Sequence, residues 1–114
     1  MTSNSEKVIS VGPNPELLWL RNSVLRRAGF DVLSTADPND ALAMIRRGEC
    51  GVLLYCHSLP SAVRQELAEA CRKHCPGARI VAVTNSKMDK AEFADAFVYG
   101  VEGPEALIEA IRAG

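Results

Sequence analysis

Short apolar runs alternate along the chain with stretches in which apolar residues recur at helical spacing. An uncharged apolar run is typical of a buried strand, and a recurrence every three or four residues is typical of a helix with one buried face. The run at 51–56 has no charge and no alternation, so we expect a central strand that is covered on both faces. The pattern predicts strands at 7–11, 30–35, 51–56, 79–83 and 96–99, and helices at about 15–28, 38–47, 62–74, 87–93 and from 103 onward.

The first predicted helix contains an apolar stripe with a tryptophan beside it. The predicted buried stripe consists of Leu17, Leu20, Val24 and Ala28, widened by Leu18 and Leu25. Trp19 lies off this stripe, and two interpretations stay open. It is either an exposed contact residue for a partner, or it packs on the aliphatic stems of Arg21 or Arg26 or on the last helix.

The alternation of strands and helices with short connections predicts an α/β fold. Parallel strands joined by right-handed helical crossovers form a doubly wound sheet with helices on both faces. At 114 residues, the expected arrangement is a flavodoxin-like sheet of five strands in the order 2-1-3-4-5. We expect residues 1–6 to be a disordered lead-in and residues 7–114 to form one domain.

Charge and composition narrow the classes of function. The formal net charge is -1 and aromatic residues make up 5% of the chain. We therefore expect neither a basic nucleic-acid surface nor a base-stacking platform. No apolar run reaches membrane-spanning length, so no membrane interaction is expected. Residues 1–6 lack the apolar core of a signal peptide, so we expect a cytoplasmic protein with reduced thiols.

The cysteines fall at both edges of the predicted sheet. Cys50, Cys71 and Cys75, with His74, fall at the amino-terminal edge, where a zinc cluster is one interpretation. The spacing of Cys71 and Cys75 within one helix is not that of a zinc knuckle. We therefore favour a core contact at Cys71, a frayed helix end at His74 and Cys75, and no metal. Cys56 ends the central strand, at the edge where open parallel sheets carry their functional groups.

Several short motifs follow one another in a recognisable order. They are the strand Val8 to Val11, the helix start Asn14-Pro15-Glu16-Leu17-Leu18, the turn Gly29-Phe30-Asp31-Val32, the run Asp40-Ala41-Leu42, the pair Leu59-Pro60 and the strand Ile80 to Thr84. As an ordered set they resemble the receiver domain of bacterial two-component response regulators, which is CheY-like. The resemblance extends over the chain from Lys7 onward and implies the same fold and a role in signal transduction.

Receivers phosphorylate themselves on an aspartate with the help of Mg²⁺, and the resemblance implies a position in this chain for each group involved. The acidic pair that holds the metal falls on Gly12 and Pro13, and the phosphoaccepting aspartate falls on Cys56. The hydroxyl falls on Thr84, which keeps the chemistry, and the lysine falls on Gly100. Four of the five groups are replaced. The resemblance therefore implies a pseudo-receiver with no catalytic residue, no cofactor and no metal.

Two further features concern the surface. The switching aromatic of the family falls on Phe97. Gly100 follows Thr84 by 16 positions. This spacing is shorter than is usual between the corresponding positions of the family, which predicts a shortened fourth helix at 87–93. That helix and the fifth strand belong to the family's usual dimer face, so we do not carry over the family's dimer mode.

The resulting hypothesis is a non-enzymatic signalling module that acts by phosphorylation-independent protein–protein interaction. The expected partner is a protein, namely a histidine kinase, an output domain or a second copy in a homodimer. The alternative hypothesis is a thiol or redox sensor that uses Cys56 at the former phosphoacceptor position. A reactive thiol requires a positive charge that stabilises the thiolate. The adjacent His57 has no acidic residue close in sequence that could orient its side chain.

Overall fold

The computed structural model describes residues 7–48, 50–56, 58–84, 94–99 and 104–112. Strands and helices alternate from residue 7 to residue 84, as the apolar pattern predicts. The predicted lead-in at 1–6 and the predicted short helix at 87–93 lie outside the described residues. The elements are β1 (Lys7–Val11), α1 (Pro15–Arg27), β2 (Asp31–Thr35), α2 (Pro38–Arg46), β3 (Val52–Cys56), α3 (Ser61–His74), β4 (Arg79–Thr84), β5 (Ala96–Tyr99) and α4 (Pro104–Arg112).

The five strands form one parallel sheet in the order β2-β1-β3-β4-β5, which confirms the predicted topology. β3 is central and buried along its first four residues, as its uncharged sequence requires. β2 lies at an edge and exposes Asp31 and Leu33, in agreement with its more polar sequence. In register, Val11 lies beside Tyr55, so β1 and β3 end at the same edge of the sheet.

Two apolar layers cover the two faces of the sheet. On one face, strand residues such as Leu53 and Ile80 pack against α2 and α3. On the other face, residues such as Leu54 and Val81 pack against α1 and α4. Successive side chains of a strand point to opposite faces, so the uncharged strands supply both layers at once.

The buried faces of α2, α3 and α4 largely follow the predicted spacing. The buried residues are Ala41, Leu42 and Ile45 in α2, Leu67, Ala68 and Cys71 in α3, and Leu107 and Ile111 in α4. Val63, Ala70 and Ile108, which the spacing places inward, are only partly buried.

The predicted buried stripe of α1 is wrong at Leu17 and Leu20, while Leu18 and Leu25, which widen it, are buried as predicted. The helix buries Leu18, Asn22 and Leu25, whereas Leu17 and Leu20 are 42% and 53% exposed. Asn22 explains the difference, because its Nδ2 donates a hydrogen bond of 2.7 Å to Ser34 Oγ on β2. A hydrogen bond of this kind allows a buried polar side chain to face the sheet. The predicted stripe is therefore rotated about the helix axis by roughly a third of a turn relative to the face that the structure buries.

Three free cysteines lie together in the core at the amino-terminal edge of the sheet. The hydrogen bond with Cys71, and then burial, raises the pKa of the Cys50 thiol, and burial raises the pKa of Cys75. The predicted frayed end at Cys75 is wrong. Cys75 is buried, and its Sγ donates to the backbone carbonyl of Ile45 at 3.4 Å, which ties the end of α3 to α2.

Within the described ranges, no helix is both long enough and apolar enough to cross a membrane.

Candidate functional site

The carboxyl edge of the sheet brings two of the predicted pocket positions together. Gly12 directly follows β1, and its N–H donates to the carbonyl of Thr35 at 3.3 Å. A Cβ atom placed on Gly12 would lie 3.4 Å from Cys56 Cβ and 3.6 Å from Leu18 Cδ2. Gly12 and Cys56 are therefore neighbours, so any side chain at position 12 would contact the one at position 56.

Cys56 differs from the other three cysteines in its surroundings. It is partly exposed at the end of β3, while the other three are buried. Its Sγ lies 2.9 Å from Ser58 Oγ, its one side-chain partner among the described residues. A hydroxyl is neutral, so it does not supply the positive charge that activates reactive cysteines. His57 lies outside the described residues.

The remaining pocket positions differ in their location and exposure. Thr84 ends β4, is 3% exposed and lies beside Tyr99 of β5. Pro13 is exposed and has no side-chain atom that could bind a metal. Gly100 lies outside the described residues, so its place in the pocket stays a prediction. Phe97, the switch-aromatic position, lies in β5 and is 44% exposed.

The described side chains of this edge do not suit a magnesium ion. Mg²⁺ prefers hard oxygen ligands in octahedral geometry. Gly12 and Pro13 provide no side-chain oxygen, and Cys56 provides a soft sulfur instead of a carboxylate. Among the residues that the structure describes, no group of three or more His, Cys, Asp or Glu side chains could hold a metal ion.

Two carboxylates lie at the start of α2, Asp37 at its N-cap and Asp40 in its first turn, and both have local structural partners. Asp37 Oδ1 accepts a hydrogen bond of 2.9 Å from the N–H of Asn39, which caps α2. Asp40 Oδ2 accepts one of 3.3 Å from Thr35 Oγ1. These contacts give both carboxylates a structural role at the start of α2.

The outer face of α1 forms a second candidate site. Trp19 is 66% exposed, which decides between its two interpretations in favour of the exposed side chain. A shallow groove of about 420 Å³ beside it is lined by Pro15, Glu16, Trp19 and Leu20. Together with the exposed Leu17, these four residues are called here the α1 surface. Contiguous exposed apolar side chains often mark an interaction site.

Sequence reasoning found only part of the α1 surface. It singled out Trp19, but it assigned Leu17 and Leu20 to the buried stripe. The available signal was Asn22, whose spacing from Leu18 and Leu25 completes a helical face. Ser58, the partner of Cys56, was also missed, since a serine in a turn carries no distinctive signal.

Comparisons of the sequence alone identify no relative. No protein-family model matches the chain. No curated protein matches it either.

Comparison of the structure gives clear matches among solved structures. A CheY-like response regulator receiver domain protein from Methanospirillum hungatei JF-1 matches with a TM-score of 0.79 and 24% identity, covering 94% of this chain and 90% of that one. The chemotaxis response regulator CheY4 of Vibrio cholerae matches with a TM-score of 0.81 and 21% identity, covering 94% and 96%. The response regulator TrrA of Thermotoga maritima, solved in complex with Mg(2+)-BeF, matches with a TM-score of 0.80 and 19% identity, covering 94% and 96%. The chain thus has the fold of a CheY-like response regulator receiver domain.

Proposed function

We propose that this protein is a signalling module of the two-component response-regulator type that acts by binding proteins without being phosphorylated. The receiver fold supports a signalling role. One observation carries the rest of the proposal, namely the set of side chains at the carboxyl edge of the sheet. There, the family resemblance assigns Gly12, Pro13 and Cys56 to the positions that in receivers hold the metal and accept the phosphoryl group.

Phosphoryl transfer depends on neutralising the charge that the transferred group carries. In a receiver, the metal and its carboxylate ligands provide most of that neutralisation. The side chains of Gly12 and Pro13 cannot hold a metal, and the neutral hydroxyl of Thr84 cannot replace one. The described residues of this edge therefore favour a module without phosphoryl-transfer chemistry.

A receiver fold without this chemistry retains its surfaces, and binding is then the function that the surfaces can support. The partner we propose is a histidine kinase, an output domain or a second copy of the chain. The formal net charge of -1 argues against a nucleic-acid partner, since nucleic-acid binding requires many cationic contacts.

The thiol-sensor alternative has less support from the geometry. Cys56 is the most accessible of the four cysteines, which such a role requires. Among the described residues its side-chain hydrogen-bond partner is the neutral hydroxyl of Ser58, which supplies no positive charge to stabilise a thiolate. We therefore rank binding above redox sensing.

Treatment with acetyl phosphate and Mg²⁺, followed by measurement of the intact mass, tests the proposal. We expect the mass of this protein to stay unchanged, while a receiver that keeps the phosphoaccepting aspartate and its metal-binding carboxylates, treated in parallel, gains one phosphoryl group. The Cys56→Asp variant should also stay unmodified, because it restores a carboxylate nucleophile without the carboxylates that hold the metal.

A phosphoryl adduct on the unaltered protein would overturn the proposal. The Cys56→Ala variant then shows where the adduct lies, since an adduct on Cys56 disappears in that variant. An adduct that persists in Cys56→Ala would point to another acceptor.

A further inference from the structure

The exposed side of α1 carries a row of residues with opposite charges at its two ends. The outer row consists of Glu16, Leu20, Ser23 and Arg27, at spacings of four, three and four residues. This spacing places them along one line of a helix, opposite the buried face of α1. Among the described residues, neither Glu16 nor Arg27 has an ion-pair partner within the chain.

The outer row is complementary in charge to the outer row of a second copy whose α1 helix lies antiparallel to it. A two-fold axis midway between Leu20 and Ser23 places Glu16 of each copy beside Arg27 of the other. The same operation places each Leu20 beside Ser23 of the other copy. A two-fold interface repeats every contact, so the charge complementarity occurs twice in the dimer.

Apolar side chains flank the outer row on both sides. Leu17 lies on one side, and Trp19 with its groove of about 420 Å³ lies on the other. An antiparallel partner helix would cover Leu20 and part of both flanks, including the 66% exposed Trp19. Large aromatic residues of this kind frequently dominate the energetics of an interface.

We propose that the α1 surface and the outer row together bind a second copy of this chain, with the two α1 helices antiparallel about a two-fold axis. The inference rests on the proposed function, because it names the partner of a module that binds proteins without phosphorylation. α1 has 13 residues and is about 20 Å long, so the contact area is small. We therefore expect a weak dimer, with a Kd on the order of 10–100 µM.

Sedimentation equilibrium between about 5 µM and 1 mM, a range that brackets the expected Kd, measures the association. Trp19 is the one tryptophan of the chain, so its emission reports directly on the proposed interface. We expect the emission maximum to shift to shorter wavelength as the dimer forms, with the same concentration dependence as the mass. High salt should weaken the dimer, because the two ion pairs are exposed to solvent.

Charge reversal separates this arrangement from other contacts. The variants Glu16→Lys and Arg27→Glu should each raise the Kd by about tenfold, since each places like charges together twice. Mixing the two variants should restore the original Kd. In the mixed dimer, the new lysine faces the new glutamate at one contact, and the native Arg27 faces the native Glu16 at the other.

A matched control uses an exposed residue on another element. Glu66→Lys on α3 makes the same charge change as Glu16→Lys and should leave the Kd unchanged. Urea unfolding of every variant verifies that the fold is intact.

Three outcomes would overturn the inference. They are a monomer up to the highest concentration, a dimer whose Kd is insensitive to the α1 variants, and a mixture of the two variants that associates no better than either alone. A monomer whose Trp19 emission is already shifted would mean that its own chain covers the α1 surface, which also excludes self-association there. None of these outcomes alters the acetyl phosphate test, so the two proposals can fail separately.

Discussion

Removing the carboxylate of Asp95 tests how the start of β5 is held against β4. Asp95 Oδ2 accepts a hydrogen bond of 2.8 Å from the N–H of Ile80, and Oδ1 accepts one of 2.8 Å from Arg72 Nη2. The N–H of Asp95 in turn donates to the carbonyl of Ile80 at 2.8 Å. Ile80 is 0% exposed, so water cannot readily replace the carboxylate as the partner of its N–H.

The expected cost follows from these contacts. Asp95→Ala leaves the N–H of Ile80 buried without a partner, which costs about 1–3 kcal/mol. It also removes the ion pair with Arg72, whose side chains are 47% and 33% exposed and which therefore contributes about 0.2–1 kcal/mol. Asp95→Asn keeps an oxygen for Ile80 and should cost about 1 kcal/mol, and Arg72→Met should cost less than about 1 kcal/mol.

Urea unfolding at pH 7, with the three variants compared at unchanged m-value, measures these differences. The predicted order of destabilisation is Asp95→Ala, then Asp95→Asn, then Arg72→Met. Combining Asp95→Ala with Arg72→Met should cost less than the sum of the two single changes, because both remove the same ion pair. If Asp95→Ala costs no more than Arg72→Met, the hydrogen bond to Ile80 is not the main contribution and the reasoning is refuted.

The same carboxylate predicts a dependence of stability on pH. Burial alone opposes its ionisation, but the hydrogen bonds from Arg72 and from the N–H of Ile80 outweigh burial and lower the pKa of Asp95. Its pKa in the unfolded chain is about 3.9, so the ionised group stabilises the fold above that pH. The contribution is lost as the pH falls through the lower pKa of the folded state. The stability advantage over Asp95→Asn should therefore be constant near neutral pH and shrink in acid, and an advantage that grows in acid would contradict this.

Two further predictions concern a buried hydroxyl and the thiols. Ser10 is 1% exposed and its Oγ has no hydrogen-bond partner among the described residues, so Ser10→Ala should be neutral or stabilising by up to about 1 kcal/mol in urea unfolding. A loss of more than about 1 kcal/mol would show that the hydroxyl has a partner. Iodoacetamide should modify Cys56 first in the folded protein, while Cys50, Cys71 and Cys75 should react only on unfolding. Peptide mass analysis after the reaction identifies the modified thiols. Equal rates at all four thiols would contradict the burial of the other three.

The sequence was sufficient to predict the sheet and its topology. Apolar runs predict β3 and, beyond Arg79, β4 as buried strands, and the polar run predicts β2 at the edge, because burial on both faces excludes charge. The helix start at Asn14 was also readable, since its side chain accepts hydrogen bonds from N–H groups of the first turn. Given parallel strands, Gly12 and Cys56 had to end near each other.

The tertiary structure alone decided which way α1 faces and what its surface carries. Apolar spacing within a helix is local information, whereas the orientation of α1 depends on Asn22 meeting Ser34, 12 positions away. Cys75 likewise becomes a core residue because it meets Ile45, 30 positions away. Contacts between distant residues satisfy buried polar groups, and no local pattern records them. As a result, Leu20 is exposed beside Trp19, and the face that we propose as an interface exists only in the folded chain.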